Sequence, residues 1–188
     1  MVADALHLPW ITCPADPIST CDNDQVGFAL TDTPGLQATP EGGTGTYYYL
    51  SGGYPGTISG NPITDFVPAA AGLGEHKLSY IYTVGGCSDL CYFSIFVYEQ
   101  PTVTCPDPPA VCPSTTPLPL TGEYGATGSP SGGTAEYSGA EVRPDGSGGY
   151  TLIITENGNH EITFTYTFNG CKESCVYTIN VTALAITC

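Results

Sequence analysis

Apolar and polar residues alternate most regularly near the end of each half of the chain. In residues 76–84 every second position from Leu78 onward is apolar, and in residues 162–168 apolar positions alternate with threonine. A period of two is typical of a strand with one buried face. After a short glycine-cysteine connection a second alternating stretch follows, at residues 93–97 and 177–181. The pattern therefore predicts an antiparallel hairpin at the end of each half.

Weaker strand signals precede both hairpins, separated by glycine, proline and asparagine. They lie at residues 11–13, 25–31, 46–50, 56–59, 65–67, 122–126, 135–139 and 150–155. No window supports a long helix, because 24 glycines and 17 prolines interrupt the chain. About seven short strands per half indicate an all-β fold, with two tandem immunoglobulin-like β-sandwich domains arranged end to end.

A repeated cysteine pattern sets the domain boundaries. The first set of four is Cys13, Cys21, Cys87 and Cys91, and the second is Cys105, Cys112, Cys171 and Cys175. Thr12-Cys13-Pro14 returns as Thr104-Cys105-Pro106, and Thr187-Cys188 begins the motif again. A period of this length is that of a whole small domain. We predict a leading segment at 1–10, repeat 1 at 11–100, repeat 2 at 101–185 and the start of a third repeat at 186–188.

The cysteines favour disulfides, which would place the protein in an extracellular, oxidising environment. Closing a loop of some 70 residues stabilises a small domain by about 4 kcal/mol. Zinc binding is the alternative, but the Cys-x7-Cys and Cys-x6-Cys spacings differ from those of zinc knuckles.

We predict that both later cysteines of a repeat meet the two earlier ones at one pole of the sandwich. The resulting pairs are Cys13–Cys91, Cys21–Cys87, Cys105–Cys175 and Cys112–Cys171. The sequence is also compatible with local pairing, in which Cys13 bonds to Cys21 and Cys87 to Cys91.

The charge balance excludes several kinds of partner. Asp and Glu number 18 against three Lys and Arg, a net charge of −15. Three scattered cations form no basic patch, so we expect no binding of nucleic acid or of an anionic membrane surface. No apolar run is long enough for membrane insertion. The acidic surface favours divalent cations or simply keeps a long extracellular protein soluble.

The motifs resemble two kinds of surface repeat. Thr12-Cys13-Pro14 and the late run from Cys91 to Val97 resemble hyalin-repeat immunoglobulin-like domains. The Gly42-to-Tyr47 run, the Phe66-to-His76 run and the Tyr-x-Tyr-Thr motif resemble tandem PKD/Ig-like repeats of large Bacteroidetes-type cell-surface adhesins, including gliding-motility adhesins. The resemblance implies a cell-surface setting and a structural or adhesive role, with neighbouring repeats of the same polypeptide as partners. It assigns no binding site.

Catalytic residues are not predicted. Of the three histidines, His76 and His160 recur at one position of the repeat, which indicates a structural feature, and the familiar nucleophile, metal and phosphate motifs are lacking. No cofactor is required. Asp22 and Asp24, with Asp16 nearby, predict a calcium site, since hard oxygen ligands are concentrated there. A solvated turn accounts for the same residues.

Two groups of tyrosines have candidate roles. Tyr80 or Tyr82, and Tyr166 in repeat 2, are candidates for a tyrosine corner, although ordinary core filling explains them equally. Tyr47, Tyr48, Tyr49 and Tyr54 provide aromatic rings for a surface polysaccharide, and alternation puts Tyr48 on the opposite face from Tyr47 and Tyr49. We expect a disulfide-stapled stalk or adhesion module, with a pair of carbohydrate-binding modules as the alternative.

Overall fold

In the computed structural model the chain divides into two compact units between Glu99 and Gln100. The structure describes residues 8–15, 17–24, 28–52 and 62–183. Both units are almost entirely β, as the alternating pattern predicts, and each is an immunoglobulin-like β-sandwich. The predicted strand at 56–59 and the expected start of a third repeat at 186–188 lie outside the described residues.

The first unit contains β-strands joined by short turns. Its strands are β1 (Trp10–Thr12), β2 (Ile18–Cys21), β3 (Phe28–Ala29), β4 (Gln37–Thr39), β5 (Thr44–Ser51), β6 (Pro62–Ile63), β7 (Asp65–Phe66), β8 (Gly74–Val84) and β9 (Cys87–Tyr98). A 3-10 turn covers Leu30–Asp32, and the single-turn helix α1 covers Pro68–Ala71.

The largest sheet of the first unit has the strand order β2-β9-β8-β5-β6. The hairpin β8–β9 runs antiparallel from Gly74 opposite Val97 to Val84 opposite Cys87. β2 joins the far side of β9 in parallel orientation. β1 pairs with β4, and β3 pairs with β7. A parallel neighbour for the last strand was not predicted, and it determines where Cys21 lies.

The second unit follows a related plan. Its strands are β10 (Thr102–Thr104), β11 (Ser114–Pro119), β12 (Thr127–Ser129), β13 (Thr134–Ser138), β14 (Val142–Pro144), β15 (Tyr150–Ile154), β16 (Gly158–Phe168) and β17 (Cys171–Val181). The hairpin β16–β17 is extended by β13, while β11, β15 and β14 form a separate sheet. Instead of a strand like β2, this unit has a parallel bridge between Val111 and Val181. The strand predicted at 122–126 is wrong, since Gly122–Tyr124 forms a 3-10 turn.

Two-residue turns close both terminal hairpins. Gly85 and Gly86 have φ angles of 58° and 82°, and Asn169 and Gly170 have φ angles of 50° and 88°. Positive φ at both positions fits the twist of a hairpin, and Gly-Gly and Asn-Gly are the residue pairs that adopt it most readily. The Cys-x3-Cys segments were expected in the connection, but they lie inside β9 and β17.

The core of each unit lies under its hairpin. In β9, Phe93, Ile95 and Val97 are buried, and in β17 the same face carries Tyr177, Ile179 and Val181. The predicted alternation of buried and exposed positions is therefore confirmed for both hairpins. The differences are that Ser79 is buried and that Val84 and Phe168 are only half-buried.

Candidate functional site

The first strand of each unit is covalently tied to the last strand. Cys13, just after β1, is bonded to Cys91 in β9, with their Cα atoms 5.7 Å apart. Cys105, just after β10, is bonded to Cys175 in β17 at a Cα distance of 6.0 Å. Both pairs are those predicted from the sequence. Each bond closes a loop that holds most of its unit, with sequence separations of 78 and 70 residues.

A carboxylate strengthens this attachment in the first unit. One oxygen of Asp89 accepts a hydrogen bond from the backbone N–H of Ile11 at 2.9 Å. The other accepts from the N–H of Leu90 at 2.9 Å. Because Asp89 lies two residues before Cys91, the hydrogen bond and the disulfide hold the same strand end. The sequence analysis missed Asp89, since an acidic residue in a strand gives no signal of a distant backbone partner.

The second unit places an acidic residue at the matching position. Glu173 lies two residues before Cys175 and accepts a hydrogen bond from the Gln100 amide at 3.1 Å. The same amide donates to the backbone oxygen of Lys172 at 2.6 Å. Gln100 begins the second unit, so the entering chain is again attached to the first residues of the final strand. The attachment of the N-terminal segment to the hairpin is therefore common to both repeats.

The other two predicted disulfides are wrong. Cys87 and Cys112 are exposed free thiols, so the pairs Cys21–Cys87 and Cys112–Cys171 do not form. The local alternative fails as well, because Cys13 and Cys91 are bonded to each other. Cys21 and Cys171 are both disulfide-bonded.

Strand β2 explains the error for Cys21. Cys21 was expected near Cys13 at one pole of the sandwich, but residues Ile18–Cys21 form a strand that pairs with β9 up to Tyr98. Cys87 begins β9, eleven residues earlier. At about 3.3 Å per residue this separates the two cysteines by roughly 36 Å. A disulfide requires Cα atoms within about 7 Å.

The same separation holds in the second unit. Val111 bridges Val181 at the end of β17, while Cys171 is the first residue of that strand. The ten-residue difference places Cys112 roughly 33 Å from Cys171. In each repeat the second and third cysteines therefore lie at opposite ends of the final strand.

Tyr82 and Tyr166 connect the penultimate strand to a turn that precedes the adjacent strand. The Tyr82 hydroxyl accepts a hydrogen bond from the N–H of Gly43 at 2.8 Å, and Tyr166 accepts one from Gly133 at 2.8 Å. Each hydroxyl also donates to a proline oxygen, Pro40 or Pro130. Of the candidates named from the sequence, Tyr82 has this polar role. Tyr80 stacks against it, with ring centroids 6.4 Å apart.

The repeated histidine is structural in the first unit. His76 is fully buried. Its Nε2 lies 2.8 Å from the Gly72 oxygen and its Nδ1 lies 2.7 Å from the Tyr49 hydroxyl. Since a carbonyl can only accept, Nε2 carries the proton and Nδ1 accepts from Tyr49. His160 in repeat 2 is half-buried, with its Nδ1 3.5 Å from Glu141.

The expected calcium ligands are only partly described. Asp16 lies outside the described residues. The backbone N–H of Asp22 donates to the backbone oxygen of Tyr98, and the backbone oxygen of Asp24 accepts from the N–H of Ala69. Within the described ranges no three His, Cys, Asp or Glu side chains gather closely enough to hold a metal. Calcium binding by Asp16, Asp22 and Asp24 stays a prediction.

The tyrosine run of β5 alternates as predicted. Tyr47 and Tyr49 are buried and Tyr48 is half-buried on the opposite face, while Tyr54 lies outside the described residues. Burial raises the pKa of Tyr47 to about 12, and a hydrogen bond with Thr33 opposes part of that rise. Two of the three tyrosines are thus core residues.

Comparison with known proteins adds similarities to solved structures. No protein-family model and no curated protein matches the chain. Chimeric titin Z1Z2 functionalized with a KLER peptide from decorin is 13% identical, with 96% of this chain and 100% of that one covered and a TM-score of 0.39. Extracellular domains 3–5 of Drosophila OTK are 11% identical, with coverage of 92% and 60% and a TM-score of 0.48.

A bacterial structure gives a similar result. The fibronectin(III)-like modules of Clostridium thermocellum CbhA are 15% identical, with coverage of 96% and 97% and a TM-score of 0.42. All three TM-scores are below 0.5, so these likenesses carry no argument about function. No helix in the described part of the chain is long and apolar enough to cross a membrane.

Proposed function

We propose that the chain is a non-enzymatic structural and adhesive repeat segment of a large extracellular bacterial surface protein, and that it acts as a disulfide-stapled stalk. The supporting observation is the bond between the first and last strand of each repeat. On the basis of the motif resemblance, we further propose that the parent protein is a Bacteroidetes-type adhesin and that it has a role in gliding motility. Its proposed partners are the neighbouring repeats of the same polypeptide.

The disulfides support this role because they shorten the covalent path that carries tension. A pull on the two ends of repeat 1 passes from Cys13 through the disulfide to Cys91 and then along β9. The residues between the two cysteines are outside that path, and they amount to most of the domain. Cys105 and Cys175 provide the same bypass in repeat 2. Under tension such a repeat can lengthen only in the few residues that lie outside the disulfide loop.

Compartment and charge support the same proposal. Disulfides persist outside a reducing cytosol, which favours an extracellular location. A net charge of −15 keeps long chains of such repeats apart and soluble. Both properties suit a protein that extends from a cell surface.

Single-molecule stretching tests the stalk function. The chain would be pulled between two marker domains of known length. In the oxidised protein we expect each repeat to release no more than about 50 Å, because only the ends outside the disulfide loop can extend. Addition of a reductant is expected to reveal steps of roughly 250 Å, since some 70 to 78 residues then extend at about 3.5 Å each.

A matched control separates the disulfide from other effects of reduction. Cys13→Ser, Cys21→Ser and Cys91→Ser together remove every disulfide-bonded cysteine of repeat 1, so one long step is expected without reductant while repeat 2 remains short. Long steps from both repeats in the oxidised wild-type protein would contradict the proposed role of the disulfides in the stalk.

A second candidate is binding of a surface polysaccharide to repeat 1. Tyr92 is 63% exposed. It lines a shallow cavity with Leu50, Glu75, Lys77 and Ser94. An exposed ring beside carboxylate, ammonium and hydroxyl groups is suited to stack on a sugar and bond its hydroxyls. Repeat 2 has Val176 at the position of Tyr92.

A glycan array tests this second candidate. Saturable binding that Tyr92→Ala abolishes and Val176→Ala leaves unchanged would favour a carbohydrate-binding role. Absence of binding to any glycan would leave the stalk function as the single proposal.

A further inference from the structure

The outer face of the main sheet of repeat 1 carries two tyrosines in one row across the strands. Tyr48 in β5 lies opposite Ser79 in β8, and Ser79 lies opposite Tyr92 in β9. Residues that lie opposite one another on neighbouring strands share one face of the sheet. Tyr48, Ser79 and Tyr92, which we call the tyrosine row, therefore all lie on the face turned away from the core.

The serine in the middle of the tyrosine row is covered. Ser79 exposes only 4% of its surface although it lies on the outer face, whereas Tyr92 is 63% exposed. Tyr48 is half-buried. A small side chain between two large ones accounts for this difference. The accessible surface of the row thus belongs to the two rings.

Repeat 2 forms the corresponding hairpin without aromatic residues in this row. Tyr92 directly follows Cys91, and Val176 directly follows Cys175, so these two residues correspond. Val176 lies opposite Thr163, which lies opposite Ser138. The fold therefore does not require aromatic side chains here, and the two tyrosines of repeat 1 need another explanation.

The face around the tyrosine row is electrically balanced, although the chain has a net charge of −15. On this side of β5, β8 and β9 the charged residues are Glu75 and Lys77, whose side chains form an ion pair at 3.7 Å. The Glu75 carboxylate also accepts a hydrogen bond of 2.8 Å from the Ser94 hydroxyl. A face without net charge is complementary to an uncharged partner.

The spacing of the two tyrosines indicates the kind of partner. Neighbouring strands lie about 4.8 Å apart, so Tyr48 and Tyr92 are separated by roughly 10 Å across the sheet. This distance is close to the length of two sugar rings in an extended glycan chain. In a β-1,4-linked chain neighbouring sugars are turned over relative to one another, so every second sugar presents the same face to the protein. The first and third sugars can then stack on the two tyrosines while the middle sugar passes over Ser79.

We propose that the tyrosine row binds an uncharged β-1,4-linked polysaccharide, which crosses the strands and stacks on Tyr48 and Tyr92. This inference rests on the second candidate function, the binding of a surface polysaccharide to repeat 1. It adds the linkage, the direction of the bound chain and Tyr48 as a second stacking residue.

Isothermal titration calorimetry with defined oligosaccharides tests the proposal. The probes are β-1,4-linked chains of glucose and of N-acetylglucosamine of increasing length, and α-1,4-linked glucose chains are the linkage control. We expect the affinity to rise by about tenfold from the disaccharide to the trisaccharide, because only the longer chain reaches both rings. The α-linked chains should show no such rise, since their sugars do not present the same face at this spacing.

Substitutions taken from repeat 2 remove one ring at a time. Tyr48→Ser and Tyr92→Val introduce the residues that repeat 2 has at the matching positions. Each should weaken trisaccharide binding by about tenfold and should remove the advantage of the trisaccharide over the disaccharide. Tyr48→Phe retains the ring and should retain binding, which separates the loss of stacking from a loss of folding. Val176→Ala in repeat 2 should change nothing.

The outcomes distinguish the tyrosine row from the broader carbohydrate-binding role. Glycan binding that Tyr48→Ser leaves unchanged, or equal affinity for the disaccharide and the trisaccharide, would overturn the proposal and leave the second candidate function standing. Absence of binding to every glycan would overturn both. Dimerisation of the chain that Tyr92→Val abolishes would also overturn the proposal, because a second copy would then cover this face. The stalk function is tested separately by stretching.

Discussion

The Tyr82 hydroxyl donates a hydrogen bond of 2.5 Å to the backbone oxygen of Pro40. Tyr166 makes the same bond to Pro130 at 2.6 Å. In each repeat the ring spans the space between the penultimate strand and the turn before the adjacent strand. Two polar backbone groups of that turn are satisfied by one hydroxyl, which makes the tyrosine more than a filler of the core.

Tyr82→Phe is expected to lower the free energy of unfolding by about 1 to 3 kcal/mol, because two backbone groups lose their partner while the ring is retained. Denaturant unfolding measures the loss, and amide exchange at Gly43 should become faster. Tyr92→Phe is the matched control, since Tyr92 is exposed and should show almost no change. Equal losses in both variants would show that the buried hydroxyl has no special role.

His76→Ala is expected to cost about 2 to 4 kcal/mol. It removes a fully buried ring and leaves the Tyr49 hydroxyl and the Gly72 oxygen without their partner. His160→Ala provides the control at the same position of repeat 2, and we expect less than about 1 kcal/mol because that ring is partly exposed. Thermal unfolding of both variants measures these losses. Comparable losses of stability in His76→Ala and His160→Ala would contradict the argument that burial of His76 makes it the more important residue.

Alkaline titration should show that Tyr47 ionises late, as should Tyr177, whose pKa is also raised by burial. The folded-state pKa of Tyr47, about 12, lies above the ordinary value of 10.0, chiefly because burial disfavours the phenolate. The stabilisation linked to neutral Tyr47 is therefore complete below pH 10 and is lost as the pH rises from about 10 to about 12. Tyr47→Phe should reduce the late tyrosinate absorbance by the contribution of one tyrosine, while the part that belongs to Tyr177 remains. A late component of unchanged size in the variant would refute the assignment.

Calcium is predicted to bind through Asp16, Asp22 and Asp24. Saturating calcium should raise the melting temperature, because a ligand that binds only the folded state stabilises it. Asp22→Asn with Asp24→Asn should abolish the rise, whereas magnesium at the same concentration should produce a smaller one. An unchanged melting temperature in calcium would eliminate the site.

Much of the fold follows from local patterns. Both terminal hairpins, their buried faces and the bonds Cys13–Cys91 and Cys105–Cys175 were predicted, because strand alternation and the closeness of the first strand to the last hairpin follow from a sandwich of this kind. The Gly85-Gly86 and Asn169-Gly170 turns could have been predicted as well. These residue pairs are among the strongest short-range hairpin signals.

Features that depend on residues far apart in the sequence could not be predicted from local patterns. The Asp89 carboxylate bonds a backbone N–H that is 78 residues distant in sequence. In the sequence, a lone carboxylate in a strand is compatible with many partners or with water alone. The burial of Ser79 likewise depends on what covers it and not on its neighbours in sequence.

By itself the sequence determined an all-β chain with two related repeats, because side-chain alternation and a recurring cysteine pattern are local and additive signals. Only the tertiary structure decided that Cys21 lies beside Tyr98 and far from Cys87. The physical reason is that a short strand such as β2 can pair with either end of a long one. That choice depends on the packing of the whole sheet and leaves no trace in the four residues of the strand.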